Sequence, residues 1–224
     1  MDLQFDVGAG IGKVSGILLR PPDAWAAFAL AHGAGAGMRH PFMERVAQAL
    51  AVRGVATLRY QFPYVESGGR RPDPPAVLEA TVRAAVDTTR EIAPQLPLVA
   101  GGKSLGGRMT SNAQAHRALA GVAGLVFLGF PLHPAKQPGH GRADHLRAVD
   151  LPMLFLQGTR DALADLELVT AVCDRLGPRA TLHLIEGADH SFAVLKRSGR
   201  SDVSVMDELV DTVAGWCRSL LSPA

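Results

Sequence analysis

The chain contains 224 residues, of which 47% are hydrophobic and 20% charged, and its formal net charge is +2. A charge so close to neutral gives no electrostatic argument for binding nucleic acid or an anionic membrane surface, and we expect neither as a partner. The composition is that of a globular protein, and the length predicts a single domain that spans residues 1–224 and buries a sizeable core.

Two further patterns bear on where the protein resides. The N-terminal residues 1–6 lack the basic start and apolar run of a signal peptide, and no window is apolar for the roughly 18 residues that a membrane-spanning helix needs. Cys173 and Cys217 lie in segments that we interpret as separate helices, without a Cys-x-x-Cys spacing. Two such cysteines do not build a disulfide framework, so we expect a reducing, cytoplasmic location.

Short apolar runs, bounded by glycine, proline and polar residues, predict the strands. In chain order they cover residues 3–7, 14–19, 26–31, 55–59, 98–100, 125–128, 153–157 and 181–185. The first two resemble a hairpin of edge strands, because they alternate weakly around a glycine-rich turn. The later ones are short and largely apolar, which is typical of strands that are covered on both faces.

Apolar residues at helical spacing predict a helix after most of these strands. The predicted helices cover residues 43–53, 78–92, 108–115, 165–176 and 205–220. This alternation favours an α/β fold with a mostly parallel, twisted sheet of about seven to eight strands and helices on both faces. The loop 60–75 is long enough to be either functional or disordered, and the loop 130–150 is too short to build a large lid.

One strand-to-helix corner carries the motif Gly102-Lys103-Ser104-Leu105-Gly106. A serine at the apex of such a sharp turn presents its hydroxyl clear of the backbone, and glycines on either side allow strand and helix to approach closely. Gly-Lys-Ser also ends a phosphate-binding P-loop, but that motif requires glycine where this chain has Pro97. We therefore interpret Ser104 as a candidate nucleophile.

Three other predicted strand ends carry His32-Gly33-Ala34, Asp161 and His190. The carboxyl ends of parallel strands share one edge of a sheet, so we expect these residues to meet Ser104 there. A serine hydroxyl is a weak nucleophile near neutral pH and needs a base, which His190 supplies. Asp161 is expected to fix the tautomer of His190. The backbone N–H groups of Leu105 and Ala34 are the expected oxyanion hole.

Several nearby residues have competing interpretations. Asp165 rivals Asp161 as the acid, but it begins a predicted helix, where aspartate is a routine cap. Lys103 either meets an acidic substrate or is an exposed lysine, and Asp189 is expected to shape the turn of His190. Of the other histidines outside the pocket, His32 is expected to order its own loop and His183 to lie within a strand. The remaining four are expected to be solvated: His40, His116, His140 and His145.

The pocket is expected to be open and shallow, because no large lid is predicted. Segments 60–66 and 130–133 follow strand ends on the same edge and are the predicted borders. Their substrate-contacting residues are expected to be Tyr60, Phe62, Phe130 and His133. No group of His, Cys, Asp and Glu has the spacing of a metal site, so we expect neither a metal nor another cofactor.

The chain resembles the α/β-hydrolase superfamily over nearly its whole length. The shared motifs are His32-Gly33-Ala34-Gly35, Leu58-Arg59-Tyr60, Gly102-Lys103-Ser104-Leu105-Gly106-Gly107-Arg108, Pro131-Leu132-His133-Pro134, Gly158-Thr159-Arg160-Asp161 and Ala188-Asp189-His190-Ser191. It is similar to the dienelactone-hydrolase branch, and it more closely resembles the hydrolase-like domain in the third subunit of the nonspecific-lethal histone acetyltransferase complex and small stand-alone relatives. The resemblance implies a hydrolase fold with Ser104, Asp161 and His190 as a triad.

The sequence therefore favours a serine hydrolase that cleaves a small ester or thioester through an acyl-enzyme on Ser104. Two alternatives stay open. One is a protein-interaction module on a hydrolase scaffold, since fold alone does not establish function and some relatives serve in protein complexes. The other is an acyltransferase that uses the same triad with an acceptor other than water. No motif specifies the substrate or the oligomeric state.

Overall fold

The computed structural model describes residues 1–8 and 10–221, and its centre is an eight-stranded sheet. In chain order the strands are β1 (Asp2–Asp6), β2 (Lys13–Leu19), β3 (Ala26–Ala31), β4 (Val55–Tyr60), β5 (Leu98–Lys103), β6 (Val122–Leu128), β7 (Met153–Gly158) and β8 (Ala180–Ile185). Their spatial order is β1-β2-β4-β3-β5-β6-β7-β8. The hairpin of β1 and β2 joins β4 antiparallel, and the strands from β4 to β8 run parallel.

Helices cover both faces of the sheet. The α-helices are α1 (Pro41–Val52), α2 (Pro63–Glu66), α3 (Pro75–Ile92), α4 (Leu105–His116), α5 (Leu166–Leu176) and α6 (Asp202–Leu221), and short 3-10 helices cover Gly141–Ala148, Gly177–Arg179 and Lys196–Ser198. Buried side chains of α3, α4 and α5 form the core on one face, and those of α1 and α6 form the core on the other.

Strands β3 and β6, in the middle of the sheet, are apolar along their length because each of their faces meets a helical layer. In β3, Ala27 and Ala29 belong to the core shared with α3, α4 and α5, whereas Phe28 and Leu30 belong to the core shared with α1 and α6. This alternation follows the two-residue period of a strand. Because these strands run parallel, the carboxyl ends of β3, β5, β7 and β8 lie at one edge of the sheet, where the loops with the candidate residues begin.

The structure confirms the predicted α/β architecture, but two strands are longer than predicted: β5 continues to Lys103 rather than ending at Ala100, and β6 starts early. β6 begins at Val122 rather than at the predicted Leu125, although Gly124 is a weak strand former. A Cβ at Gly124 would lie 2.6 Å from the ring of Trp216 and 2.7 Å from Leu220 of α6. The glycine is therefore required by close packing of α6 on the strand, which overrides its local propensity.

The two long loops are both structured. In the segment 60–75, α2 forms, and the backbone N–H of Tyr64 donates to the carboxylate of Asp73 at 2.8 Å. The segment 130–150 contains the 3-10 helix Gly141–Ala148, which packs against α4. Across residues 1–8 and 10–221, no helix combines the length and the apolar character needed to cross a membrane.

Ion pairs join the two helices of one layer. Arg53, which follows α1, donates from Nε to Asp211 at 2.6 Å and from a terminal nitrogen to Asp207 at 3.3 Å. The aspartates lie on α6 and are more than half exposed, so each pair contributes little to the free energy of unfolding. The position of α1 relative to α6 depends mainly on the apolar core that the two helices share beneath these pairs.

Candidate active site

Ser104 lies at the turn between β5 and α4, with a φ of 49° and a ψ of −112°. Such a backbone conformation costs about 1–3 kcal/mol for a residue other than glycine and persists only where the surrounding structure enforces it. A Cβ at Gly102 would lie 2.2 Å from the carbonyl oxygen of Ala31, and one at Gly106 would lie 2.6 Å from that of His32. The end of β3 thus approaches the turn so closely that only glycine fits on either side of the serine.

A continuous chain of hydrogen bonds joins Ser104, His190 and Asp161. Oγ of Ser104 lies 2.9 Å from Nε2 of His190, and Nδ1 of the same ring lies 2.7 Å from Oδ2 of Asp161. Because a carboxylate only accepts hydrogen bonds, Nδ1–H donates to Asp161 and Nε2 is free to accept from the Ser104 hydroxyl. The structure therefore brings together the three side chains that the strand-end argument predicts to meet.

The carboxylate of Asp161 is fully enclosed, with a side-chain exposure of 0%. Its Oδ2 also accepts a hydrogen bond from Nε2 of Gln157 at 2.5 Å, and its Oδ1 accepts from the backbone N–H of Leu163 at 2.8 Å. Gln157 is oriented in turn by the N–H of Phe130, which donates to Oε1 at 2.9 Å. These bonds hold the carboxylate in one orientation toward His190.

Asp189 organises the tight turn that presents His190. Its Oδ1 accepts hydrogen bonds from the backbone N–H groups of Ser191 at 2.8 Å and Ala193 at 3.0 Å. The prediction that Asp189 shapes this turn is confirmed. The turn also holds Phe192 at a φ of 62°, which directs its ring into the cavity described below.

The backbone amides of the predicted oxyanion hole flank Ser104. Leu105 is the first residue of α4, so its N–H has no partner within the helix. Ala34 lies in the loop after β3, where a Cβ on the preceding Gly33 would lie 3.7 Å from Cβ of Ser104. Within residues 1–8 and 10–221, neither amide donates to a protein acceptor, so both are available to a ligand.

His32 orders the loop that carries Ala34, as predicted. Its Nδ1 lies 2.7 Å from the carbonyl oxygen of Gly33, and its Nε2 accepts a hydrogen bond from the N–H of Phe62 at 3.2 Å. Only an unprotonated Nε2 can accept, so the single ring proton is on Nδ1. Burial lowers the pKa of His32 to about 4, and the ring therefore stays neutral at pH 7.

Residues that follow β4 support the same loop. The hydroxyl of Tyr64 accepts a hydrogen bond from the N–H of Gly35 at 3.1 Å, and Oε1 of Gln61 accepts from the N–H of Met38 at 2.8 Å. The segment 61–66 therefore buttresses the loop after β3. Its contribution to the site is structural support rather than the pocket border that strand-end position suggested.

A cavity of about 470 Å³ opens beside Ser104, between the start of α1, the turn of His190 and α6. Its walls are mainly apolar and include Phe42, Met43, Phe192, Val205 and Met206. The rings of Phe42 and Phe192 stack with their centroids 5.9 Å apart. The exposed polar lining residues are His40, Arg45, Ser191 and Asp202.

The aromatic residues predicted to contact substrate do not line this cavity. Tyr60, Phe62 and Phe130 are at most 1% exposed and belong to the core shared with α3, α4 and α5. The cavity walls belong instead to the layer of α1 and α6 on the opposite face of the sheet. The predicted border along residues 60–66 and 130–133 is therefore corrected, because large aromatic side chains at those strand ends fill the other core.

His133 is likewise buried and does not line the cavity. Its Nε2 accepts a hydrogen bond from the N–H of Asp165 at 3.0 Å, and its own N–H donates to the carbonyl oxygen of Leu163 at 3.1 Å. It therefore ties the loop after β6 to the segment that follows Asp161. Asp165 caps α5 by accepting from the N–H of Glu167 at 3.0 Å, as its alternative interpretation predicts.

Two further side chains differ from expectation. His145, predicted to be solvated, is partly buried with Nε2 2.7 Å from Oγ of Ser111, and burial lowers its pKa to about 4, with the charge of Arg108 adding to the effect. Lys103 is not an exposed lysine, because its side chain lines the cavity and Nζ lies 2.5 Å from the carbonyl oxygen of His190. Both positions depend on partners that are distant in sequence.

Sequence reasoning missed Gln157 and all of the apolar cavity walls. A signal for Gln157 exists, since it is a polar residue at the end of an otherwise apolar predicted strand, and buried polar side chains require partners. The walls carry no comparable signal. Phe42, Met43, Val205 and Met206 follow ordinary helical spacing, which indicates core packing as readily as a binding site.

Comparison with known proteins identifies the fold. A family model described as an alpha/beta hydrolase domain matches residues 24–218. An alpha-beta serine hydrolase homologue from Coxiella burnetii has a TM-score of 0.75 at 20% identity, with 95% of this chain and 97% of that chain covered. A serine hydrolase without a lid from Xanthomonas campestris gives 0.74 at 22% identity, with 100% and 96% covered. Dienelactone hydrolase from Anabaena variabilis gives 0.73 at 22%, with 96% of each chain covered.

We expect Gly106→Ala to lower the free energy of unfolding by about 1–3 kcal/mol, because the added methyl group would overlap the backbone at the end of β3. Chemical denaturation measures the change. Gly215→Ala is the matched control, since Gly215 is also helical but exposed, and nothing lies within 4 Å of its Cβ position. The control should be neutral or stabilising by up to about 1 kcal/mol. Equal stability of Gly106→Ala and the wild type would contradict the prediction.

Proposed function

Because this chain belongs to the alpha/beta hydrolase family, we propose that it is a serine hydrolase that cleaves a small ester or thioester through an acyl-enzyme on Ser104. The observation that carries the proposal is the chain of hydrogen bonds from Ser104 through His190 to the enclosed carboxylate of Asp161, beside an apolar cavity. A solvated serine lacks such a base, and a merely structural serine does not need one.

The proposed reaction has two steps. Nε2 of His190 takes the proton of the Ser104 hydroxyl while Oγ attacks the carbonyl carbon, and the same proton then passes to the departing alcohol or thiol. Asp161 accepts Nδ1–H throughout and stabilises the imidazolium. In the second step, water gives a proton to His190 and attacks the acyl carbon, and His190 then returns that proton to Oγ of Ser104 as the bond to Oγ breaks and the acid is released. Acyl transfer to another acceptor would use the same residues.

The carbonyl oxygen that becomes negative is proposed to lie between the N–H groups of Leu105 and Ala34. Neither group donates to an acceptor in the part of the chain that the structure describes, which supports this assignment. Each such donor is worth about 3 kcal/mol in the transition state of comparable enzymes. The N-terminus of α4, which begins at Leu105, adds the positive end of the helix dipole at the same place.

The cavity supports a substrate with an apolar acyl group. Its volume of about 470 Å³ lies within the roughly 300–1,000 Å³ of typical ligand sites. Each methylene buried in such a site contributes about 0.8 kcal/mol. We therefore propose that acyl chains longer than acetyl extend from Ser104 along the wall formed by Phe192, Val205 and Met206.

The alternative of a scaffold protein has less support. The support for a scaffold comes from the resemblance to the hydrolase-like domain of the nonspecific-lethal complex subunit, and that resemblance rests on shared motifs alone. A scaffold has no need for an aligned serine, histidine and enclosed carboxylate. The geometry therefore favours the enzyme over the interaction module.

We expect a fluorophosphonate probe to label the wild-type protein and not Ser104→Ala, because only an activated hydroxyl attacks the probe. Turnover of p-nitrophenyl esters by Ser104→Ala should fall by about 10⁶-fold, as in a well-tuned triad. Ser219→Ala is the control, since Ser219 is exposed on α6 and its hydroxyl donates to the carbonyl oxygen of Trp216. Equal turnover by Ser104→Ala and the wild type would refute the assignment of the nucleophile.

Asp161→Asn should lower kcat by about 10⁴-fold with little effect on folding, because asparagine disturbs the tautomer of His190 while keeping the shape of the side chain. Asp165→Asn is a matched control four residues away. It changes the same chemical group at a helix cap, where asparagine serves as well as aspartate. Steady-state kinetics with a p-nitrophenyl ester measure both. A similar loss in the two variants would remove the special role of Asp161.

Met206→Trp should lower kcat/KM for hexanoyl and octanoyl esters by about tenfold or more, because a larger side chain fills the space for the chain. Acetyl ester turnover should change little, since the reacting groups are untouched. Val203→Trp is the control on the same helix, at a position that is 71% exposed and does not line the cavity. A uniform loss for all chain lengths would argue against an acyl site along α6.

A further inference from the structure

Lys103 occupies an unusual position for a cationic side chain. It is the last residue of β5 and the direct neighbour of Ser104, and its side chain lines the cavity. Its Nζ donates a hydrogen bond to the backbone carbonyl oxygen of His190 at 2.5 Å. Within residues 1–8 and 10–221, no other donor reaches that carbonyl. One side chain thus connects the strand of the nucleophile to the backbone of the base.

Aromatic rings surround the same ammonium group. Nζ lies 5.3 Å from the ring centroid of Phe192 and 6.0 Å from that of Phe42. Both distances permit attraction between the cation and the faces of the rings. Phe192 belongs to the turn of His190, so the ammonium contacts this turn twice, once through a carbonyl oxygen and once through a ring. No carboxylate of the described residues pairs directly with it.

We propose that Lys103 is a positioning residue, whose ammonium clamps the turn of His190 against Ser104, and that loss of its proton loosens this clamp. The inference rests on the proposed function, because the geometry it protects is that of the nucleophile and the base. The hydrogen bond from an ammonium to a carbonyl is stronger than that from a neutral amine. The attraction to the two rings disappears with the charge.

The surroundings of the Lys103 ammonium bring the loss of its proton into a pH range that can be tested. Burial lowers the pKa of Lys103 to about 8, and the charges of Asp161 and Asp189 oppose that shift without cancelling it. The other titratable or charged groups that face the cavity are His190, His40, Arg45 and Asp202. Asp161 and Asp189 are on the loops after β7 and β8, so the charges nearest to the clamp come from the elements that carry the base and its partner.

Activity and stability should respond to this proton in opposite directions. Above pH 8 the folded protein loses the ammonium, so the rate should fall. The unfolded chain keeps its proton up to the ordinary lysine pKa of 10.5. Between these values the unfolded state binds more protons than the folded state, and the contribution of Lys103 to the free energy of unfolding therefore rises with pH. If Lys103 had only a structural role, the rate would not fall above pH 8 while its contribution to the free energy of unfolding rises.

The test compares the wild type with Lys103→Met and Lys103→Gln by fluorophosphonate labelling between pH 6 and 10, with ester turnover and Tm at each pH. At pH 7 the probe should label Lys103→Met at least about tenfold more slowly than the wild type, because one hydrogen bond to the turn of His190 is lost. In ester turnover the variant should show a lower kcat with little change in KM. Its Tm should not fall, since methionine fits between the rings without a desolvation cost. The decline above pH 8 should be absent. Lys103→Gln, which keeps an N–H donor without a charge, should give an intermediate rate and a flat profile.

Lys13→Met is the control, because Lys13 is exposed on β2 and does not line the cavity. It should retain the rate and the pH profile of the wild type. Lys103→Met at the wild-type rate, or with the same alkaline decline, would overturn the inference and leave the proposed function intact. If Lys103→Met does not fold, a wild-type labelling rate that stays constant up to pH 10 would overturn it. A wild-type protein that is never labelled would overturn the proposed function as well.

Discussion

The structure depends on one steric constraint, the close approach of the end of β3 to the turn after β5. Neither Gly102 nor Gly106 has room for a side-chain carbon against the carbonyl groups of Ala31 and His32. This contact holds the strained backbone of Ser104, from which the hydroxyl reaches Nε2 of His190. It also brings the loop of Ala34 beside the serine, so the candidate nucleophile and one candidate oxyanion donor are positioned by the same packing.

The remaining groups are held by hydrogen bonds between neighbouring loops rather than by single strands. Gln157 connects the loop after β6 to Asp161, and His133 connects that same loop to the segment before α5. The turn of His190 is shaped by Asp189 and contacted by Lys103. Asp161 and His190 therefore each have a supporting polar partner. Such a network restricts the orientations of the side chains that it joins.

The strand-end pattern was sufficient to predict the fold and the meeting of Ser104, His190 and Asp161, because the edge of a parallel sheet follows from topology alone. It was insufficient to locate the cavity. Position after a strand specifies the edge but not the face, so Phe62 and Phe130 were equally compatible with a pocket and with the core in which they lie. The burial of Lys103 and His145 depends on distant partners, and a lysine or histidine in isolation indicates exposure.

The origin of the cavity walls has a consequence for how selectivity can change. Phe42, Met43 and Val205 are shared between the wall of the candidate cavity and the core that closes one face of the sheet, and the ion pairs of Arg53 also join their two helices. These wall residues are therefore as rigid as the closely packed core to which they belong. Substitution of these residues would change the shape of the cavity and the stability of the fold together. Changes in selectivity are therefore expected mainly at partly exposed positions such as Met206, where the cavity can change with less effect on stability.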